Sequence, residues 1–124
     1  MNRSWNKEEL EKAVPWLKRM NATGNHIYIR PALQENGCTR GLVLVDDLKR
    51  TALKEMERDG LEPAMVLETS KGNFQAWVKL AHELTRDEAK EAARRLAEKY
   101  QGDRSSADGL HYGRMAGFTN QKEK

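Results

Sequence analysis

At 124 residues, with 38% apolar and 33% charged side chains, the chain is long enough to bury one core and too apolar for a disordered tail. A formal net charge of +3 and a single cysteine suit contact with phosphates but exclude a histone-like polycation and an internal disulfide. With no apolar run near the ~20 residues that span a bilayer and no secretory signal, one soluble cytoplasmic domain over residues 1–124 is expected, with 1–5 and 119–124 flexible.

In chain order, Asn6-Lys7-Glu8-Glu9 has the pattern of a capping box, and Leu10, Ala13, Val14 and Leu17 follow at helical spacing. Pro15 lacks an N–H and crowds the preceding turn, so a bend or a second short helix starting there is predicted, ended by the turn Ala22-Thr23-Gly24-Asn25. His26 to Arg30 alternates as a half-buried strand, with Ile27 and Ile29 on one side and His26, Tyr28 and Arg30 on the other. After a loop with Asn36-Gly37, the apolar run Gly41-Leu42-Val43-Leu44-Val45 reads as a central strand that stops at Asp46-Asp47. Leu48 to Asp59 reads as a helix burying Leu48, Ala52, Leu53 and Met56, with Gly60 as its left-handed terminator.

Ala64 to Thr69 and Asn73 to Leu80 are strand-like, the second with Phe74, Ala76 and Val78 on one face and Gln75, Trp77 and Lys79 on the other. Thr85-Arg86-Asp87-Glu88 is a second capping box, and Ala89, Ala92, Ala93, Leu96, Ala97 and Tyr100 form a helical stripe closed by Gly102. From Asp103 onward the periodicity is weak. The order predicts an α+β fold, with helices on one face of a mainly antiparallel sheet. The other face is expected to stay open and to display Tyr28, Arg30, Gln75, Trp77 and Lys79, a polar, basic and aromatic set of the kind that binds single strands.

Adjacent aspartates at the end of an apolar strand repel one another unless a cation or a partner offsets them. A divalent metal held by such carboxylates is the usual apparatus of nucleotidyl transfer. The plainer reading is that Asp47 caps a helix starting at Leu48 while Asp46 faces solvent. Neighbours on a regular strand also point to opposite faces, so both bind one metal only if the strand turns there. Asp103 and Asp108 are each a candidate third ligand or an ordinary loop acid. Lys71, Lys79, Arg114 and Lys122 are candidates for triphosphate or template backbone, and Ser70-Lys71-Gly72-Asn73 for phosphate at a turn. His26, His82 and His111 have no zinc-like spacing with Cys38, which reads as a bystander thiol. No Gly-rich nucleotide loop is present.

The strings PWLKRMN, IYIRP, GLVLVDDL, ETSKGNFQAWVK and SADGLHYGRMAGFTNQK together resemble the RepB-like primases of mobilisable plasmids, a branch of the archaeo-eukaryotic primase superfamily whose relatives also occur fused to relaxases. The resemblance runs over nearly the whole chain. It implies an RRM-like catalytic fold and template-directed primer synthesis from nucleoside triphosphates with Mg²⁺ or Mn²⁺. By position, Asp46 and Asp47 match the first acidic motif and Asp103 the third catalytic acid, with Asp108 the alternative. Nucleotide contact would fall to Ser70, Asn73, Gln75, Lys79, His111 and Arg114, and DNA contact to Tyr28, Arg30, Lys71, Trp77 and Lys122.

This sequence departs from the wider superfamily in two places: its first acids touch, and Gln75 stands where a histidine is usual. The chain is also shorter than such primases, so a domain cut from a larger replication or mobilisation protein is expected. Helicase or relaxase domains of the same system would then be its partners. The competing readings are a non-catalytic module of a relaxase that holds single-stranded DNA, and a metal-dependent nuclease.

Overall fold

The computed structural model describes residues 4–116 and 118. Its elements are α1 (Lys7–Ala22), β1 (Tyr28–Ile29), β2 (Leu42–Leu48), α2 (Arg50–Arg58), β3 (Met65–Ser70), β4 (Asn73–Lys79), α3 (Arg86–Tyr100), a 3-10 turn (Arg104–Ser106) and β5 (Gly113–Arg114). The fold is α+β, as the sequence predicts. Lys122 and the expected flexible carboxyl end from 119 onward lie outside the described residues, as do residues 1–3.

Both capping boxes form. Asn6 Oδ1 accepts from the Glu9 N–H at 2.8 Å and Thr85 Oγ1 from the Glu88 N–H at 3.2 Å, while the two glutamates accept from the cap N–H groups in return. Pro15 lies inside α1 and starts no second helix. It removes only the donor to the Glu11 carbonyl, a local loss outweighed by the rest of a helix that buries Leu17 and Asn21.

The strands form two sheets, and here the expectation of one sheet with a bare face is corrected. β2, β4 and β3 make an antiparallel sheet in the order β2-β4-β3, so the middle strand is β4 and the GLVLV run lies on an edge. β1 and β5 pair separately as a short antiparallel ribbon, Tyr28 opposite Arg114 and Ile29 opposite Gly113. One face of the larger sheet carries Val45, Leu48, Phe74, Ala76 and Val78, packed with Ala52 and Met56 of α2 and Tyr100 of α3. The fully buried Ala89, Ala93 and Ala97 present no bulk along α3, which lets this helix lie close on β2.

The opposite face is covered too. Gln75 is 5% and Trp77 6% exposed, because the ribbon sits over them: a Cβ on Gly113 would meet the Trp77 ring at 2.6 Å. Alternation correctly places Gln75 and Trp77 away from the helices, but their side is not open to solvent. α3 ends one residue earlier than expected, with Gln101 rather than Gly102 in the left-handed conformation at φ 58°.

Candidate active site

The acidic pair sits on a bulge. Val45 pairs with Ala76 and Leu48 with Phe74, so Asp46 and Asp47 together oppose the single residue Gln75. Asp47 absorbs the extra residue with φ at 54°. Val45 and Leu48 both point into the helix-side core, which on a regular strand they could not do. The residues between them are therefore turned to the other side together, and the geometric objection to adjacent acids disappears.

Asp46 Oδ1 accepts from the Asp47 N–H at 2.7 Å and from the Gln75 amide at 3.1 Å. Asp47 lies 3.7 Å from Lys49 Nζ, and Lys49 also donates to Asn73 Oδ1 at the β3–β4 turn. Asp47 does not cap α2, whose N-cap is Lys49 without a side-chain bond. Of the two sequence readings of the pair, the capping one is thus excluded.

Asp103 reaches the pair through its main chain, its N–H donating to the Asp46 carbonyl at 2.9 Å. A Cβ on Gly102 would stand 2.8 Å from that same carbonyl oxygen, so only glycine lets the α3 exit run this close to the bulge. The Asp103 carboxylate is turned to the 3-10 turn, accepting from Ser105 Oγ at 2.6 Å, Ser106 Oγ at 2.8 Å and the Ser105 N–H at 2.9 Å. The Ser105 and Ser106 hydroxyls hold it below the usual carboxylate range. Asp108 makes a local turn to the Leu110 N–H at 2.8 Å and lies 3.5 Å from His111 Nδ1. Among the described residues no three His, Cys, Asp or Glu side chains gather as a ready-made metal cage. Two neighbouring carboxylates turned out of the core nonetheless suit a hard cation that keeps waters and takes its remaining ligands from phosphates.

The ribbon joins this site through Gln75, whose Oε1 accepts from the Arg114 N–H at 2.8 Å. The Arg114 guanidinium stacks 4.7 Å from the Tyr28 ring and bonds His26 Nδ1 at 2.6 Å. Beside it, Arg30 stacks 4.4 Å from the Tyr112 ring and donates to the Leu110 carbonyl at 2.9 Å. Tyr28 is 49% exposed and remains able to stack a base, whereas buried Trp77 is not. At the β3–β4 turn, Asn73 Nδ2 donates to Ser70 Oγ at 2.9 Å and Lys71 is exposed. Lys79 falls apart from this group: it pairs with Leu42 at the far end of β2 and donates to the Leu80 carbonyl at 2.8 Å.

The sequence profile of the RepB DNA-primase N-terminal domain matches residues 2–124. The chain belongs to that family. This RepB-family domain is 54% identical to Mobilization protein A of Escherichia coli over 124 residues, spanning 100% of the chain and 17% of that protein. It is 29% identical to a DNA primase of Acidithiobacillus ferrooxidans over 127 residues, spanning 35% of that protein. It superimposes on the crystal structure of the catalytic domain of primase RepB′ in complex with initiator DNA with a TM-score of 0.92 at 54% identity, covering 99% of this chain and 64% of that one. For the crystal structure of primase RepB′ the TM-score is 0.89 at 53% identity, covering 42% of that chain. The RepB-family domain thus spans less than two thirds of each of these relatives.

Sequence reasoning missed Lys49, Tyr112 and the two close-packed glycines of this RepB-family site. A cation two residues after an acidic pair was the available signal for Lys49. Gly102 and Gly113 carry no local signal, because what they approach is distant in sequence.

Proposed function

We propose that this domain is the nucleotidyl-transfer core of a DNA primase, making primers on single-stranded DNA from nucleoside triphosphates. A hydroxyl of the primer end, or of the first nucleotide, attacks the α-phosphate, and pyrophosphate leaves. The observation that carries this reading is the bulge that turns Asp46 and Asp47 together out of the core in a chain of the RepB primase family. The name Mobilization protein A, borne by a longer relative, supports a relaxase-type mobilisation domain as partner; a helicase of the same system is proposed from the family resemblance.

Mg²⁺ or Mn²⁺ would be held by Asp46 and Asp47, with Asp103 as third ligand and Asp108 the alternative. When bound, the cation activates the attacking hydroxyl and neutralises charge on the leaving pyrophosphate. To serve as a ligand Asp103 would have to give up its serine hydroxyls, while its N–H bond to the Asp46 carbonyl keeps its main chain beside the pair. Before nucleotide arrives, Lys49 offsets the charge of Asp47; afterwards Lys49, with Ser70, Lys71 and Asn73 of the turn it reaches through Asn73 Oδ1, would meet phosphate. Arg114, whose N–H bonds Gln75, and His111, beside Asp108, are the further candidates for nucleotide contact. Tyr28, Arg30 and Tyr112 offer template bases a stacking surface.

The test is isothermal titration of Mn²⁺ with a nucleoside triphosphate into the wild type and an Asp46→Ala/Asp47→Ala double variant, with primer synthesis assayed alongside. Metal-dependent triphosphate binding and synthesis are expected in the wild type, and both are lost in a variant with unchanged circular dichroism. A wild type that holds single-stranded DNA but neither binds triphosphate nor extends it is instead a DNA-binding module.

A further inference from the structure

A glutamine in the middle of an otherwise apolar strand needs a reason, since burying an amide without partners costs more than burying a leucine. Gln75 is that residue: it lies midway along β4, 5% exposed, between Phe74 and Ala76. Both ends of its amide are used. The Arg114 N–H can only donate, so the bond at 2.8 Å fixes Oε1 toward the ribbon. Nε2 then faces Asp46 Oδ1 at 3.1 Å, and an ionised carboxylate can only accept. The orientation of the amide is dictated independently from its two sides.

The consequence falls on Asp46. Its Oδ1 is occupied twice, by the Gln75 amide and by the Asp47 N–H at 2.7 Å, which fixes the rotation of the carboxylate. No described residue donates a hydrogen bond to Oδ2, so this is the oxygen left for a cation or substrate. The same amide ties the bulge of β2 to β5 and hence to the Arg114–Tyr28 stack. Among the described residues each end of the amide has a second hydrogen-bonding position unfilled, but with 5% of its surface exposed Gln75 has almost no surface to present to a triphosphate.

We infer that Gln75 is a positioning residue rather than a nucleotide contact: it holds the Asp46 carboxylate with Oδ2 outward and registers it to the β1–β5 ribbon. The inference rests on the primase reading for its effect on turnover, but its geometry stands apart from that reading. A positioning role predicts that Gln75→Met, similar in length but without donor or acceptor, lowers kcat for primer extension by about ten- to a hundredfold. The KM for nucleoside triphosphate and the affinity for single-stranded template stay within about twofold of the wild type. A raised KM with unchanged kcat makes Gln75 a nucleotide contact and overturns the inference, as does a variant with wild-type kinetics.

A second measurement does not require activity or a Gln75 variant that folds. The side-chain NH₂ resonances of Gln75, followed by ¹⁵N-correlated NMR, are expected to shift and to exchange faster with solvent in Asp46→Ala. Resonances that ignore Asp46→Ala overturn the inference even if the enzyme is active. If the wild type makes no primer, the primase reading fails, while the amide resonances still decide whether Gln75 holds Asp46.

Discussion

Asp47 adopts a backbone conformation, φ 54°, that suits glycine better than aspartate. A non-glycine residue held there costs of order 1 kcal/mol or more, and such strain tends to collect at functional sites. On the proposed primase reading, the cost is tolerated because the bulge turns both acids out of the core. Asp47→Gly is therefore expected to leave the unfolding free energy unchanged or raise it by up to about 1 kcal/mol, the relief of strain being partly offset by greater freedom of the unfolded chain. Triphosphate binding with Mn²⁺ should fall sharply in the same protein. Chemical denaturation beside titration calorimetry checks both, and a clear loss of stability would show that Asp47 serves the fold. The acids themselves were legible in the sequence, because two carboxylates after GLVLV violate the usual end of a buried strand. Their shared direction was not, since the register shift that produces it is a property of the pairing with β4. Gln75 was misread for a related reason: alternation tells which face a residue takes, not whether a distant segment covers that face.

At the scale of elements, legibility followed the range of the interactions. α1 and α3 announce themselves through capping boxes and stripes closed within a few residues, and both form, though α1 continues through Pro15 without the second helix expected there and α3 ends one residue early. β1 and β5 pair Tyr28 with Arg114, across most of the chain, and only the first of the two was anticipated, in a different sheet. The α2–α3 junction likewise has no local signature. Tyr100, at the end of α3, donates from its hydroxyl to Asp59 Oδ2 at 2.8 Å, and Lys99 stands 3.4 Å from the same oxygen. The Tyr100 bond, followed by the Lys99 charge, holds Asp59 below its usual range against the opposing effect of burial. Lys99 is raised chiefly by the Asp59 charge, and Tyr100 chiefly by burial. A depressed acid stabilises above its unfolded pKa, and its contribution is lost as pH falls through the folded value. A raised lysine or tyrosine stabilises below its unfolded pKa, with loss as pH climbs through the folded one. Thermal unfolding should therefore show a plateau, with Tm declining below about pH 4 and again above about pH 10. Tyr100→Phe should flatten both flanks in a Tm–pH series, and flanks of unchanged steepness would remove this junction from the explanation.

For the whole molecule, a net charge of +3 is too small to hold nucleic acid by its overall field, so contact with a template has to come from local placement of cations. Several of the basic side chains are already paired at the surface: Arg94 and Arg95 with Glu91, Arg104 with Glu98, Lys99 with Asp59. Arg30 differs. It is exposed, stands over the Tyr112 ring and donates to the Leu110 carbonyl from Nη1, which leaves other guanidinium N–H groups for a phosphate beside a stacked base. If the ribbon is the template face, Arg30→Ala weakens single-stranded DNA binding most at low salt. It also reduces the slope of log affinity against log salt by about 0.7, the share of one phosphate contact on a single strand. Because Arg30 makes none of the contacts that fix the acidic pair, binding of Mn²⁺ with nucleoside triphosphate should stay at the wild-type level. Fluorescence anisotropy across a salt series, beside the calorimetric titration, separates the cases. An unchanged slope with weakened triphosphate binding would move the ribbon from the template side of the site to the nucleotide side. A loss of both would mean that the ribbon, through Arg114 and Gln75, governs the acids as a unit.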